Sequence, residues 1–344
     1  MVTIASSLAR SVHQHRRRVS VVIIRDTKVY KHFSDRDILF SVLDEMEGRF
    51  GFSYSELADR MCREIREYYQ NISEVSHDST KEVRPKLVLG LSGGVDSSVV
   101  AYLAAKAVGT EDVLPITMPA WDNDECVRLS SLVRKELKIS DASVQCVVPI
   151  LEIVKQEILT INSLKWTGIE IDTSRESQTD MDRMRIGNFA SRARIAILYD
   201  IARKMNGKIL GTGNRTEFVQ GYAAKYGTPI SFDFGVLDEL YKTDIYALAG
   251  ILKMPEEIIG RVPTTGYFPG QTHEKELGAS WEEQDALAFL LFEKRMAIEE
   301  VAETYQVKRG FVETMIRRYE RSKEKRMLRQ PHIRLGFIKD GVIH

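Results

Sequence analysis

The sequence predicts an α/β fold, a Rossmann-like parallel sheet with helices on both faces, followed by C-terminal helices. Three observations predict it. Short apolar runs alternate with helix-period segments from about residue 85 onward, the pattern of parallel strands joined through helical crossovers. The first of those runs, KLVLGL, stops at a Ser-Gly-Gly corner before a helix. Past about Ser280 the apolar spacing is helical throughout.

The elements follow in order. Residues 1–50 form an extension ahead of the core, rich in Arg10, His13, His15, Arg16, Arg17, Arg18 and Arg25 and free of acids before Asp26. Such a composition suits either a transit peptide or a solvated basic leader. The strand-like VSVVIIRD that follows favours the leader. Residues 55–70 alternate apolar and charged positions at helical spacing, and the polar NISEVSHDSTKEVRP leads to the first core strand. KLVLGL reads as a strand and VDSSVVAYLAAKAVG as a helix closed by Gly109. VLPITMP is a second strand, ECVRLSSLVRKEL a helix, ASVQCVVPI a third strand and LEIVKQEILTIN a helix. A long helix, MDRMRIGNFASRARIAILYDIARKM, precedes the strand KILGT. The expected division is therefore an extension at 1–50, a core at 51–275 and a helical segment at 276–344.

Bulk properties exclude several classes. Lys plus Arg balances Asp plus Glu at 49 each, so no net positive charge grips nucleic acid. IEEVAETYQVKRGFVETMIRRYERS has helix-turn-helix spacing, but two amphipathic helices covering the core account for it within a neutral chain. No nucleic-acid partner is expected. No apolar run reaches the roughly 18 to 20 residues of a membrane span. Cys62, Cys126 and Cys146 lie far apart, without metal spacing, which suits a reducing cytoplasm better than a disulfide framework.

The chemistry concentrates at Gly90-Leu91-Ser92-Gly93-Gly94-Val95-Asp96-Ser97. Glycines after a strand let backbone N–H groups turn inward beside a helix N-terminus, which makes an anion seat. No Walker lysine follows. Asp96 instead puts a carboxylate beside any phosphate, which calls for a bridging magnesium ion. The alternative is that Asp96 only N-caps the helix. On the long helix, Arg185, Asn188 and Arg192 share one face opposite Ile186, Phe189, Ala193 and Ile197, and such a basic stripe is commonly just solvated.

Ser92-Gly93-Gly94-Val95-Asp96-Ser97 resembles the SGGxDS signature of the PP-loop ATP pyrophosphatases, which split ATP into AMP and pyrophosphate. GTGNRTEFVQGYAAKYG, DELYKTDIYALA and RVPTTGYFPGQTHEKELG then resemble ammonia-dependent NAD synthetases, over about residues 85 to 331. The resemblance implies ATP-dependent amidation of deamido-NAD through an acyl-adenylate, with release of AMP and pyrophosphate. It implies that the glycine corner cradles pyrophosphate, that Asp96 and Glu217 ligate magnesium, and that Thr212, Lys242 and Thr264 contact ATP. It further matches Arg192, Lys225, Asp233, Glu324 and Lys325 to deamido-NAD contacts, and it implies a homodimer. The alternatives are that Glu217 is ordinary first-turn helix charge and that Lys242 is a surface lysine.

Two departures stand out. Glu324 replaces a histidine in SKEKRMLRQP, and KYGTPISFD replaces the family's Asp-Gly-Gly after KYG. Pro229 fixes φ and removes a donor, so that loop must take another shape. The residues ahead of the core are too few for a glutaminase domain, so free ammonia or a separate amidase supplies the nitrogen. Two rival readings remain: amidation of a different carboxylate, and a non-catalytic nucleotide-binding regulator.

Overall fold

A computed structural model of the chain describes residues 30–75, 84–120, 124–139, 147–164, 168–172, 178–262 and 272–326. Helix α1 (Arg36–Gly48) starts where Asp35 accepts the Asp37 N–H, and α2 (Tyr54–Val75) follows. Next come β1 (Leu87–Gly90), α3 (Val95–Val108), β2 (Val113–Ile116), α4 (Asp124–Glu136) and α5 (Leu151–Ser163). The long helix α6 (Asp180–Lys204) begins at a capping box between Thr179 and Asp182. It is followed by β3 (Lys208–Asn214), α7 (Arg215–Gln220), β4 (Phe234–Leu237), α8 (Lys242–Ile251) and α9 (Glu256–Ile259). The remaining helices are α10 (His273–Leu277), α11 (Trp281–Ala288), α12 (Ile298–Thr304), α13 (Arg309–Arg321) and α14 (Lys323–Arg326).

The sheet is parallel throughout, in the order β2-β1-β3-β4. The chain leaves β1 for β2 on one side and returns to β3 on the other. The crevice beyond the carboxyl ends of β1 and β3 is thus a topological switch point, where open α/β sheets bind ligands. Of the expected third strand, Val147 forms a parallel bridge with Thr117, and Val148 and Ile150 donate to Thr117 and Pro119 carbonyls at 2.8 and 2.9 Å. Its first residues lie outside the described ones. β4, FGVL, is a strand that the sequence reading did not identify. Buried at all four positions, it lacks the alternation that marks a half-exposed strand.

Strand alternation sorts the core into two faces. Leu87 and Leu89 point into a layer with Leu57, Met61 and Ile65 of α2, Val99 of α3 and Leu248 of α8. Val88 points the other way, against Val154 of α5 and Ile186, Ala190 and Leu198 of α6. A third cluster joins Leu39, Val42 and Met46 of α1 to Leu287 of α11, Val301 of α12 and Val312 and Met315 of α13. Burying each of these large apolar side chains stabilises the fold by about 1.5–3 kcal/mol. The described residues from 30 to 50 therefore share a core with the C-terminal helices. The helix-turn-helix-like segment forms α12 and α13, with Val301, Phe311, Val312 and Met315 packed inward.

Candidate functional site

β1 feeds directly into the glycine corner. Gly93 has φ +70, and a Cβ there would lie 2.7 Å from the Leu129 Cβ, so glycine meets both the turn and the close approach to α4. Gly94 is the N-cap of α3 and offers no side chain, so the helix N-terminus stays open. Asp96 is consequently not the cap. It stands in the first turn of α3, and its carboxylate reaches across the crevice. Ser97 Oγ accepts the Ser92 N–H at 3.1 Å, Ser92 Oγ accepts the Gly94 N–H at 3.2 Å, and Ser98 Oγ donates to Gly94 O at 2.8 Å. These bonds fix the corner from within.

β3 supplies the opposite wall. Asn214, fully buried, caps α7 by accepting the Glu217 N–H at 2.9 Å, while its own N–H donates to the Glu217 carboxylate at 3.2 Å. Its Nδ2 donates to Asp96 Oδ1 at 3.0 Å. One asparagine thereby orients both carboxylates, Asp96 through its side chain and Glu217 through its backbone N–H. Burial first, and then the charge of Asp96, push the Glu217 carboxyl up to about 8. Asp96 and Glu217 are thus a close pair of acids, the setting in which like charges raise a carboxyl pKa, and Lys242 offsets only part of the effect.

Lys242 opens α8 from the third side. It is buried and forms an ion pair with Asp96 Oδ2. Burial acts most strongly against its charge, but Asp96, Tyr246 and Glu217 together outweigh it and hold the ammonium above the ordinary lysine value. The start of α8 is also tied down. Asp285 accepts from Thr216 Oγ1 at 2.6 Å and the Thr243 N–H at 2.9 Å, and Thr216 Oγ1 accepts the Lys242 N–H at 3.0 Å. Burial pushes the Asp285 carboxyl up to about 7.

Asp96, Glu217 and Lys242 line one cavity of about 870 Å³, with Gly90, Leu91, Ser92, Gly94, Val95, Ser97 and Thr212. It is also lined by Asn188, Arg318 and Lys325, among others. Lys325 Nζ donates to Gly221 O and Ala223 O at 2.8 and 2.7 Å, and burial lowers its pKa. Gly93 supports the corner from behind, against α4.

Four residues matched to deamido-NAD contacts do not line this cavity. Asp233 clasps the backbone of Ile209, accepting its N–H at 2.8 Å and donating to its carbonyl at 2.9 Å. Its carboxylate is spent on the sheet. Arg192 is exposed and donates from Nε to Lys225 O at 3.0 Å, and Lys225 pairs with Glu324 at 3.1 Å on the surface. Thr228 and Pro229 do line the cavity. Thr264 lies outside the described residues.

The sequence reading missed three side chains at the cavity. Arg261 donates to Ser92 O at 3.0 Å, and Arg318 donates to Leu277 O at 3.1 Å and Gln220 Oε1 at 3.3 Å. His273 is buried with both ring nitrogens unpartnered, and burial, then Lys242, lower its pKa to about 3. Arg318 sat in a helix read as covering the core, whereas Arg261 and His273 lie within RVPTTGYFPGQTHEKELG, where the resemblance assigned a role to Thr264 alone.

A sequence-family model described as NAD synthase matches residues 65–329. The chain belongs to the NAD synthase family. It is 35% identical over 243 residues to the NH3-dependent NAD+ synthetase of Pyrococcus furiosus, covering 70% of this chain and 86% of the relative. It is 32% identical over 267 residues to that of Fusobacterium nucleatum, covering 77% and 94%. Among solved structures, the NH3-dependent NAD synthetase of Campylobacter jejuni superposes with a TM-score of 0.58 at 23% identity, over 82% of this chain and all of that one. The NMN synthetase of Francisella tularensis gives 0.58 at 24%, over 80% and 96%. The two superpositions agree with the family fold, an adenine-nucleotide-hydrolase-like α/β sheet.

Proposed function

We propose that this member of the NAD synthase family is an ATP-dependent ligase that converts deamido-NAD and ammonia to NAD, releasing AMP and pyrophosphate. The observation that carries the reading is the convergence of Asp96, Glu217 and Lys242, from three separate elements, on one cavity beside the glycine corner.

A carboxylate oxygen is too poor a leaving group for ammonia to displace. The nicotinate carboxylate therefore attacks the α-phosphorus of ATP; the bond to the β-phosphate bridge breaks, and pyrophosphate departs. Ammonia then adds to the acyl carbon and expels AMP, losing a proton to give the amide. In this chain the N–H groups of the glycine corner and the Ser92 and Ser97 hydroxyls would seat the pyrophosphate. Thr212 would meet the nucleotide, and Lys242 would bind phosphate oxygens on exchanging Asp96 for them. Such fixed donors act where charge develops.

The residues fit a magnesium ion. Magnesium takes one or two carboxylates together with substrate phosphates, and Asp96 and Glu217 are two carboxyl groups that line the same cavity as the glycine corner. Among the described residues no cluster of three or more His, Cys, Asp or Glu side chains offers an all-protein cage. Held by Asp96 and Glu217, magnesium would neutralise charge on the departing pyrophosphate.

At the acceptor end, Lys325, Arg318 and Asn188 are the polar groups offered to deamido-NAD. A second reading, amidation of a different carboxylate, is favoured by the displacement of Arg192, Lys225, Asp233 and Glu324 from the cavity. Nitrogen would arrive as free ammonia or from a separate amidase. A homodimer is supported by Ile153, Leu159 and Leu164 at α5, and Met181 and Met184 on the adjoining α6, which are 43–64% exposed. The buried free thiols Cys62 and Cys126 suit the cytoplasm, and no described helix is long and apolar enough to cross a membrane. Mass spectrometry of products from ATP, magnesium, ammonium and deamido-NAD tests the reading. NAD, AMP and pyrophosphate in equal amounts are expected; ADP as the nucleotide product would overturn it.

A further inference from the structure

Lys242 and Glu217 stand at the first turns of two helices, and both turns rest on one buried chain of charges. Asp244 is the third residue of α8 and accepts the Tyr241 N–H at 2.8 Å, which fixes where the helix begins. Its carboxylate also takes Arg49 through a fork, 2.6 Å from one guanidinium nitrogen and 3.3 Å from the other, and the Tyr54 hydroxyl at 2.8 Å. The Arg49 guanidinium lies 3.7 Å from Glu293, which in turn accepts from Arg215 Nε at 3.0 Å. Arg215 is the first residue of α7, two positions before Glu217. The Tyr241 ring sits against both guanidinium groups, at 5.3 Å from each.

We propose that Arg49 is a positioning residue for catalysis, holding the starts of α7 and α8 in register so that Glu217 and Lys242 face the same phosphates. The inference rests on the proposed role of Lys242 as a phosphate ligand. Arg49 follows α1 directly and is not among the residues that line the cavity, so it acts through other residues. Its side chain is 8% exposed and that of Asp244 is fully buried, so the fork forms where the dielectric is low and its geometry is stiff. Asp285 holds α8 to α7 and α11 from one side. Arg49 holds it from the other, and it does so from the segment ahead of the glycine corner. The extension is thereby a working part of the phosphate end.

The chemistry requires such a brace. Lys242 is a long side chain on the first residue of a helix, and a shift of that turn moves its ammonium directly. Misplacing a reacting or binding group by about 1 Å costs up to about a hundredfold in rate. Lysine at position 49 keeps the charge that Asp244 needs but cannot form the two-nitrogen fork.

The test compares wild type, Arg49→Lys and Tyr54→Phe by calorimetry with magnesium-ATP and by steady-state turnover. Folding is checked beforehand by circular dichroism. For Arg49→Lys we expect ATP affinity at least about fivefold weaker and kcat about tenfold lower, with KM for deamido-NAD within about twofold of wild type. Tyr54→Phe keeps every charge and removes one donor to Asp244, so it decides the matter should Arg49→Lys fail to fold. It should shift ATP affinity and kcat in the same direction by about threefold. Unchanged ATP affinity and kcat in a folded variant would overturn the inference, as would a loss confined to KM for deamido-NAD. A wild type that binds ATP but forms no AMP would count against the proposed reaction, while the ATP affinities would still decide the role of Arg49.

Discussion

The two ends of the cavity are built differently. At the phosphate end, three carboxylates or ammonium groups from three elements meet through bonds that are themselves braced: Asn214 orients Asp96 and Glu217, and Asp285 and Arg49 secure the helix of Lys242. At the acceptor end, four of the five expected contacts, all but Lys325, lie off the cavity lining. Arg192 serves a loop carbonyl, Lys225 pairs with Glu324, and Asp233 fastens β3. A site whose side chains follow from a strand, a glycine turn and a helix start has little freedom to move. One that depends on a loop changes as soon as the loop does.

The strongest way to break this contrast is at Asp96. Asp96→Asn keeps the shape but removes the partner of Lys242 and one acid facing the phosphates. Turnover should fall at least about a hundredfold, the scale of losing one transition-state stabiliser. Steady-state rates within tenfold of wild type would show that the phosphate end does not depend on that charge.

The acceptor end sharpens the contrast through a pair of variants. Lys325→Ala removes an ammonium that lines the cavity and binds two carbonyls. We expect KM for deamido-NAD to rise by about tenfold, as for a lost hydrogen bond to a charged group. Arg192→Ala, on the exposed face of α6, should change it less than threefold. The reverse order would return the acceptor site to the surface residues.

Association comes next. Leu159→Glu together with Met181→Glu places charges on the exposed apolar side chains of α5 and α6. Light scattering should then report monomer in place of dimer, with the fold retained. Dimer retained by the double variant would move the interface elsewhere.

The smallest effect expected is one of stability. Glu217 has a folded pKa of about 8 against an ordinary 4.5. Between those values the folded chain keeps a proton that the unfolded chain releases, so its contribution to stability is present at low pH and lost as pH rises towards 8. Glu217→Gln removes that penalty and keeps an acceptor for the Asn214 N–H. Without nucleotide or metal, the variant should melt a few degrees above wild type at about pH 8, and the gap should close by about pH 5. A gap that stays constant across that range would contradict the close pair of acids. The same variant should turn over poorly, so stability and activity trade against each other here.

Much of this was legible in the sequence, for physical reasons that differ by region. The strand, glycine corner and helix around Asp96 are local, so their order in the chain already fixes their geometry. The pairing of Lys242 with Asp96 is not local, and only the family resemblance pointed to it. Residues 30–50 read as an addition because their apolar face, Leu39, Val42 and Met46, completes a core with helices more than two hundred positions away. Asp233 shows the opposite case: it stands where the resemblance implies a deamido-NAD contact, and in the altered KYGTPISFD loop its carboxylate bonds to the backbone of Ile209.

The central claim is that this cavity passes AMP from ATP to an organic acid before nitrogen arrives. Isotope exchange between labelled pyrophosphate and ATP, in magnesium without ammonia, tests it most directly. Exchange that appears only when deamido-NAD is added, and that disappears in Asp96→Asn, is the predicted result. Exchange that is absent with every carboxylate offered, or that proceeds equally with none, would contradict the account.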